Sequence, residues 1–245
     1  MSSLFQHFID KFILGRTVLV VTTYVNLASL TVLTYDWALN LGLEISLVWQ
    51  SRTSMIKFLY LITRYLAFGD VTLWVYEQVA EGLTADNCAV LFSALGWMFT
   101  TGFVVGELLL VMRTWAVWGR DRRLGFVILA YYIGMVVAIY VNMGLFIKSV
   151  GFIDNVYHGV PGCIVVKASN KLYIDWVLLM VLDIAICALM IIKGCKSYVS
   201  GGNSQLMKVV YGEGIMYYVY LVSLSMINVV VILKLPPEYL ALLSS

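Results

Sequence analysis

Charge is scarce in this chain, and so are the functions that charge supports. Only 12% of its 245 residues are Asp, Glu, Lys or Arg, while 62% are hydrophobic. A soluble domain carries roughly 25% charged residues and covers itself with polar side chains. A mean hydropathy of +0.91 leaves too little polar surface for such a shell. Most of the surface is therefore expected to face a lipid bilayer. The net charge is +2 and no basic block of nucleic-acid type occurs, so no nucleic-acid partner is expected.

Histidine is nearly absent. His7 and His158 are the only two, and neither sits in a metal-type cluster. The four cysteines, Cys88, Cys163, Cys187 and Cys195, show no CxxC spacing. No metal and no other cofactor is expected. HExxH, GxSxG, P-loop and GxGxxG signatures are all missing, which argues against an enzyme. There is no N-x-S/T acceptor for glycosylation. The N-terminal stretch carries Asp10, Lys11 and Arg16, and no small-residue cleavage pattern follows it. The first apolar segment is expected to act as its own signal.

What is present is a series of long apolar segments. A membrane-crossing helix needs roughly 20 mainly apolar residues. Six segments qualify, at about 17–36, 56–79, 89–112, 125–147, 172–193 and 209–233. The amphipathic stretch at about 38–50 contains Glu44 and reads as a juxtamembrane helix rather than a separate span. After Leu235 come Pro236, Pro237 and a tail too short to cross a bilayer. Loops are short except at about 148–171, and no linker or internal repeat stands out. Open strand edges cannot sit in hydrocarbon. The sequence thus predicts one all-α domain over 1–245, a polytopic transmembrane helix bundle with six full spans.

Lysine and arginine placement orients such a bundle. Nine of these residues fall on one side and six on the other, with Arg64 inside a span. The tightest cluster, Arg120, Arg122 and Arg123, follows span three, with Arg113 one turn and more before it. That basic motif is expected in the cytoplasm, where a signalling partner could meet it, and the N-terminus outside. Cys88 and Cys163 then share the outer, oxidising side, so a disulfide between them is expected to tie the 148–171 loop to span three. The alternative is two unrelated free thiols. Cys187 reads as a packing residue.

Ionisable groups inside a bilayer are costly and mark functional hypotheses. Arg64 and Glu107 fall at similar depth in antiparallel spans, so an ion pair between them is expected. Asp70, Asp175 and Asp183 lie in the outer half or near the middle. They form an acidic vestibule for cations or protons, or else each bonds separately to polar neighbours. Gly102 and Gly106 make a GxxxG pattern, read as a helix-packing site. Trp49, Trp74, Trp115, Trp118 and Trp176 mostly lie near span ends, as interfacial anchors do.

The run at 34–65, TYDWALNLGLEISLVWQSRTSMIKFLYLITRY, resembles the signature of a large group of basidiomycete fungal membrane proteins. That group is defined by an N-terminal domain of unknown function, sixty-five thirty-three. The matching pieces are Tyr35-Asp36, Glu44, Trp49, Ser51-Arg52, Lys57 and Thr63-Arg64-Tyr65. The later MRTWAVWGRDRR and the isolated Cys163 also look like it. The resemblance implies a seven-helix membrane protein and supplies no activity. Members continue past a PPEY-like segment into a seventh helix, whereas this chain stops at Ser245, so the seventh is expected to be truncated.

The expected layout is similar to that of G-protein-coupled receptors, although Met112-Arg113-Thr114 is not a DRY triplet and NPxxY is missing. A receptor-like sensor in the plasma membrane is the first functional expectation. A small-solute or ion transporter and a ligand-free membrane scaffold are the alternatives.

Overall fold

The computed structural model describes residues 2–153, 162–167, 169–199 and 205–234, with side chains described, a few gaps apart, over 17–152, 162–196 and 216–230. Helix α1 (Ser2–Glu44) is followed by a π-helical turn, Ile45–Trp49. Then come α2 (Met55–Val79), α3 (Ala85–Val117), α4 (Arg122–Ser149), strands β1 (Gly151–Ile153) and β2 (Ile164–Lys167), α5 (Tyr173–Val199) and α6 (Gln205–Lys234).

Local chemistry sets the helix boundaries. Ser54 caps α2, its hydroxyl accepting from Lys57 N at 3.2 Å. Thr84 does the same for α3, accepting from Asn87 N at 3.4 Å. Between α3 and α4, Gly119 (φ 70°) and Arg120 (φ 59°) are both left-handed. Glycine adopts that conformation freely, while arginine does so only where the surroundings hold it. Here the Trp115 indole donates to the Asp121 carbonyl at 2.9 Å, and the Asp121 carboxylate accepts from Arg123 N at 2.9 Å. Gly125 sits so close to that indole that a Cβ would lie 2.7 Å from Trp115 Nε1.

Two compact units emerge. The first comprises residues 1–102, 146–170 and 235–245, and the second residues 103–145 and 171–234. In the first, α1 packs along α2, and β1 pairs antiparallel with β2. Leu59, Trp74, Cys88 and Leu95 form its core. In the second, α5 packs along α6 over Leu182, Ile186, Met190 and Tyr218.

Polarity in both units is inverted relative to a water-soluble protein. Thr22, Asn26, Glu44 and Gln78 are buried in the first, as are Glu107, Thr114, Asp183 and Ser225 in the second. Meanwhile Tyr24, Val90 and Phe126 are 69%, 70% and 75% exposed. Buried polar groups with an apolar exterior are what a hydrocarbon solvent selects. Among the described residues four helical segments are long and apolar enough to cross a membrane: Met55–Val79, Ala85–Val117, Arg122–Ser149 and Tyr173–Lys196. The chain is an integral membrane protein.

Six spans were read from the sequence, and four helices meet the length and composition requirement among the described residues; the apolar stretch of α6, Met216–Val230, is shorter. The juxtamembrane stretch at 38–50 is continuous with α1 and runs into its π turn. Nothing between 17 and 44 breaks the helix, so the apolar segment and the amphipathic one run together. The 148–171 loop contains a hairpin, with Phe152 opposite Val165 and Ile153 opposite Ile164. The GxxxG pattern also reads differently. A Cβ at Gly106 would meet nothing, and one at Gly102 only Leu66 at 3.6 Å. The close approach in the first unit is at Gly69, where a Cβ would lie 3.0 Å from Met98. The expected truncated seventh helix, His7, His158 and the side chain of Glu213 fall outside the described residues.

Candidate functional site

Within the first unit, charge converges on Glu44, 3% exposed at the end of α1. Arg64 Nε on α2 lies 2.7 Å from its Oε2, and Arg64 also reaches Asp36 at 3.6 Å. Glu44 Oε1 accepts from the Tyr65 hydroxyl at 2.9 Å and from the Trp49 indole at 3.1 Å. Side chains five apart diverge on an α-helix. The wider π turn at Ile45–Trp49 brings Trp49 round to the side of Glu44. Lys57 closes the same corner, donating to the Trp49 and Ser51 carbonyls at 3.0 Å each. The partner of Arg64 is thus Glu44 rather than Glu107. Counting depth from the helix ends does not find it, because Glu44 lies in the juxtamembrane stretch outside the counted spans.

At the opposite end of α2 a latch holds the hairpin. Cys88 and Cys163 are disulfide-bonded, with Cα atoms 5.7 Å apart. The backbone beside that bond is also tied down. Gly162 N donates to the Ala80 carbonyl at 3.1 Å, and Cys163 N to Glu77 Oε1 at 3.2 Å. Asn26 on α1 donates to Gln78 at 3.2 Å. Ser149 and Ser169 hydroxyls pair at 3.0 Å across the hairpin base. Phe92 of α3 packs against Phe152 of β1, ring centres 5.6 Å apart. Glu77, Asn26 and Gln78 carry no sequence motif, and only their burial among polar partners reveals them.

The second unit holds two buried carboxyls, Glu107 on α3 and Asp183 on α5, at 6% and 1% exposure. The two carboxyls are close neighbours. Ser225 on α6 donates to Asp183 Oδ2 at 3.1 Å, while Glu107 Oε2 and Asp183 Oδ1 are buried without a protein donor. Asp175 belongs to a different contact, accepting from Asn142 Nδ2 at 2.9 Å; the same amide donates to the Lys171 carbonyl. In the first unit, Asp70 buries Oδ1 without a donor. Within the second unit, Asp175 and Asp183, both expected in the acidic vestibule with Asp70, have different hydrogen-bond partners.

Near the α3–α4 turn, the Tyr218 hydroxyl of α6 meets Thr114 at 3.1 Å and the Leu110 carbonyl at 3.3 Å. Trp118 donates to the Leu189 carbonyl of α5 at 3.3 Å. Its ring lies 5.4 Å from Lys193 Nζ and 6.0 Å from Lys196 Nζ. Arg113, Arg120, Arg122 and Arg123 are exposed. Cys187 is a buried free thiol and Cys195 an exposed one. Among the described residues no three His, Cys, Asp or Glu side chains converge as metal ligands would.

Residues 24–69 match a family described as a family of unknown function, DUF6533. That segment contains Asp36, Glu44, Trp49, Arg64 and Tyr65, the whole charged corner of the first unit. No curated protein and no solved structure matches the chain.

Proposed function

We propose that this chain is a non-enzymatic, receptor-like sensor of the plasma membrane. Six spans are proposed, the four apolar helices joined by α1 and α6. At 1.5 Å per residue the 43 residues of α1 extend about 65 Å and the 30 of α6 about 45 Å, each beyond the roughly 30 Å of hydrocarbon. The N-terminus and the Cys88 end of α3 lie outside, and the Arg120–Arg123 turn lies in the cytoplasm.

One observation carries the reading. The α4–α5 connection is a hairpin bonded through Cys163 to the first turn of α3 and held again by Glu77. Such a latch fixes a loop over the outer end of a bundle, where a ligand would be received. The layout is similar to that of G-protein-coupled receptors. The test is association of the purified full-length chain with a nucleotide-free heterotrimeric G protein. The proposal expects a complex that GTPγS dissociates. Absence of any nucleotide-sensitive complex overturns it.

A second reading, a proton or cation transporter, draws on the Glu107–Asp183 pair and its two oxygens without protein donors. Flux in proteoliposomes that Asp183→Asn abolishes would favour it. Failure of both assays leaves the membrane scaffold.

A further inference from the structure

Six cations gather at one end of the second unit. Arg113, Arg120, Arg122 and Arg123 surround the α3–α4 turn, and Trp118 in that turn draws Lys193 and Lys196 of α5 to its ring. None of the six makes an ion pair among the described residues. The one carboxylate in the turn, Asp121, is engaged by the backbone N–H of Arg123. Like charges left unneutralised this close repel one another, and an anion between them relieves that repulsion. A cation–π contact holds an ammonium in place without consuming its three N–H donors.

The depth of these cations selects the anion. Lys193 and Lys196 are the last charged residues of the apolar segment Tyr173–Lys196. The Trp118 indole is fastened to Leu189, two turns inside that segment's end. Tryptophan and snorkelling lysine at a span end mark the headgroup level of a bilayer. Apolar side chains flank the cations in sequence on both helices. Phe126 and Val127 follow the arginines on α4 at 75% and 68% exposure, and Ile192 precedes Lys193 at 45%. Phosphate-binding cations beside exposed apolar residues fit an amphiphile, with its anionic headgroup at the turn and its acyl chains along α4 and α5.

We infer that the Trp118–Lys193–Lys196 cluster, with Arg120, Arg122 and Arg123, is a binding site for the headgroup of an anionic phospholipid. This assignment is independent of whether the chain signals or transports. Each cation at such a surface contributes about fivefold to affinity, so removing two lowers it by about 30-fold.

The experiment uses the full-length chain in nanodiscs of phosphatidylcholine, with a fluorescent phosphoinositide as the titrant. Lys193→Gln with Lys196→Gln should weaken binding by about 30-fold, whereas Lys193→Arg with Lys196→Arg should hold it within about twofold. Lys148→Gln, at the far end of α4, removes a lysine away from the cluster and should leave binding unchanged. Soluble inositol phosphate should compete poorly, because it lacks acyl chains. If the double Gln variant does not fold, wild-type binding must still fall steeply with added salt. Unchanged binding in the folded double Gln variant, an equal loss in Lys148→Gln, full competition by the soluble headgroup, or salt-insensitive binding would each overturn the assignment.

Discussion

In the first unit the buried carboxylate of Glu44 is answered by a cation, whereas in the second the buried carboxyls of Glu107 and Asp183 lie beside each other, with a serine hydroxyl donating to Asp183. The same cost, a polar group taken out of water, is met in two ways. The Arg64–Glu44 corner fixes its charges, because either member left alone would be an uncompensated buried ion. Glu107 and Asp183 have no cation partner among the described residues, and each keeps a buried oxygen without a protein donor. The first arrangement joins two helices through opposite charges, whereas the second leaves buried oxygens without protein donors. The DUF6533 segment covers the rigid corner and ends long before the carboxyl pair.

Mutations can break this contrast, and the largest effect belongs to the first unit. Glu44→Ala leaves Arg64 only its longer contact with the exposed Asp36, and leaves Tyr65 and Trp49 without their acceptor. Its expected cost is about 3–5 kcal/mol, read from chemical or thermal unfolding in detergent. A cost under about 1 kcal/mol would show that the corner does not hold α1 to α2. Cys88→Ser opens a loop of sequence separation 75 and should cost about 2–4 kcal/mol under oxidising conditions. In reducing buffer the wild type should fall to the mutant's level.

Smaller changes sharpen the comparison in the second unit. Gly125→Ala drives a methyl group against Trp115 and should cost about 1–3 kcal/mol. Trp115→Phe in the same chain should recover part of that loss, since the indole nitrogen that the methyl group would meet is gone. Tyr218→Phe removes a hydroxyl shared with Thr114 and the Leu110 carbonyl, for about 1 kcal/mol. A loss as large as that of Glu44→Ala would mean that hydroxyl networks and ion pairs count equally here, and the contrast would fail.

Sequence reasoning reached the helices because apolar runs of 20 residues have no other stable form in lipid. It could single out Cys88 and Cys163 from their positions, but not Glu77, whose role depends on a hairpin folding back across the chain. The strands of that hairpin span three and four residues, too few to show an alternating pattern. Arg64 and Glu107 both stood out as intramembrane charges, yet their partners did not. A helix end can be counted from a sequence, but the rotation of one helix about its axis cannot. Glu44 was hidden further by the π turn, which aligns residues that α-helical spacing would separate.

The most direct test compares Glu44→Gln with Asp183→Asn in the same detergent by equilibrium unfolding. Glutamine at 44 cannot neutralise Arg64, so stability should fall by several kcal/mol. Asp183 has no cation partner among the described residues, and asparagine keeps an acceptor for Ser225, so stability should stay within about 1 kcal/mol of wild type or rise. A loss in Asp183→Asn as large as that in Glu44→Gln would contradict the account, because it would show that both units depend on a fixed buried charge.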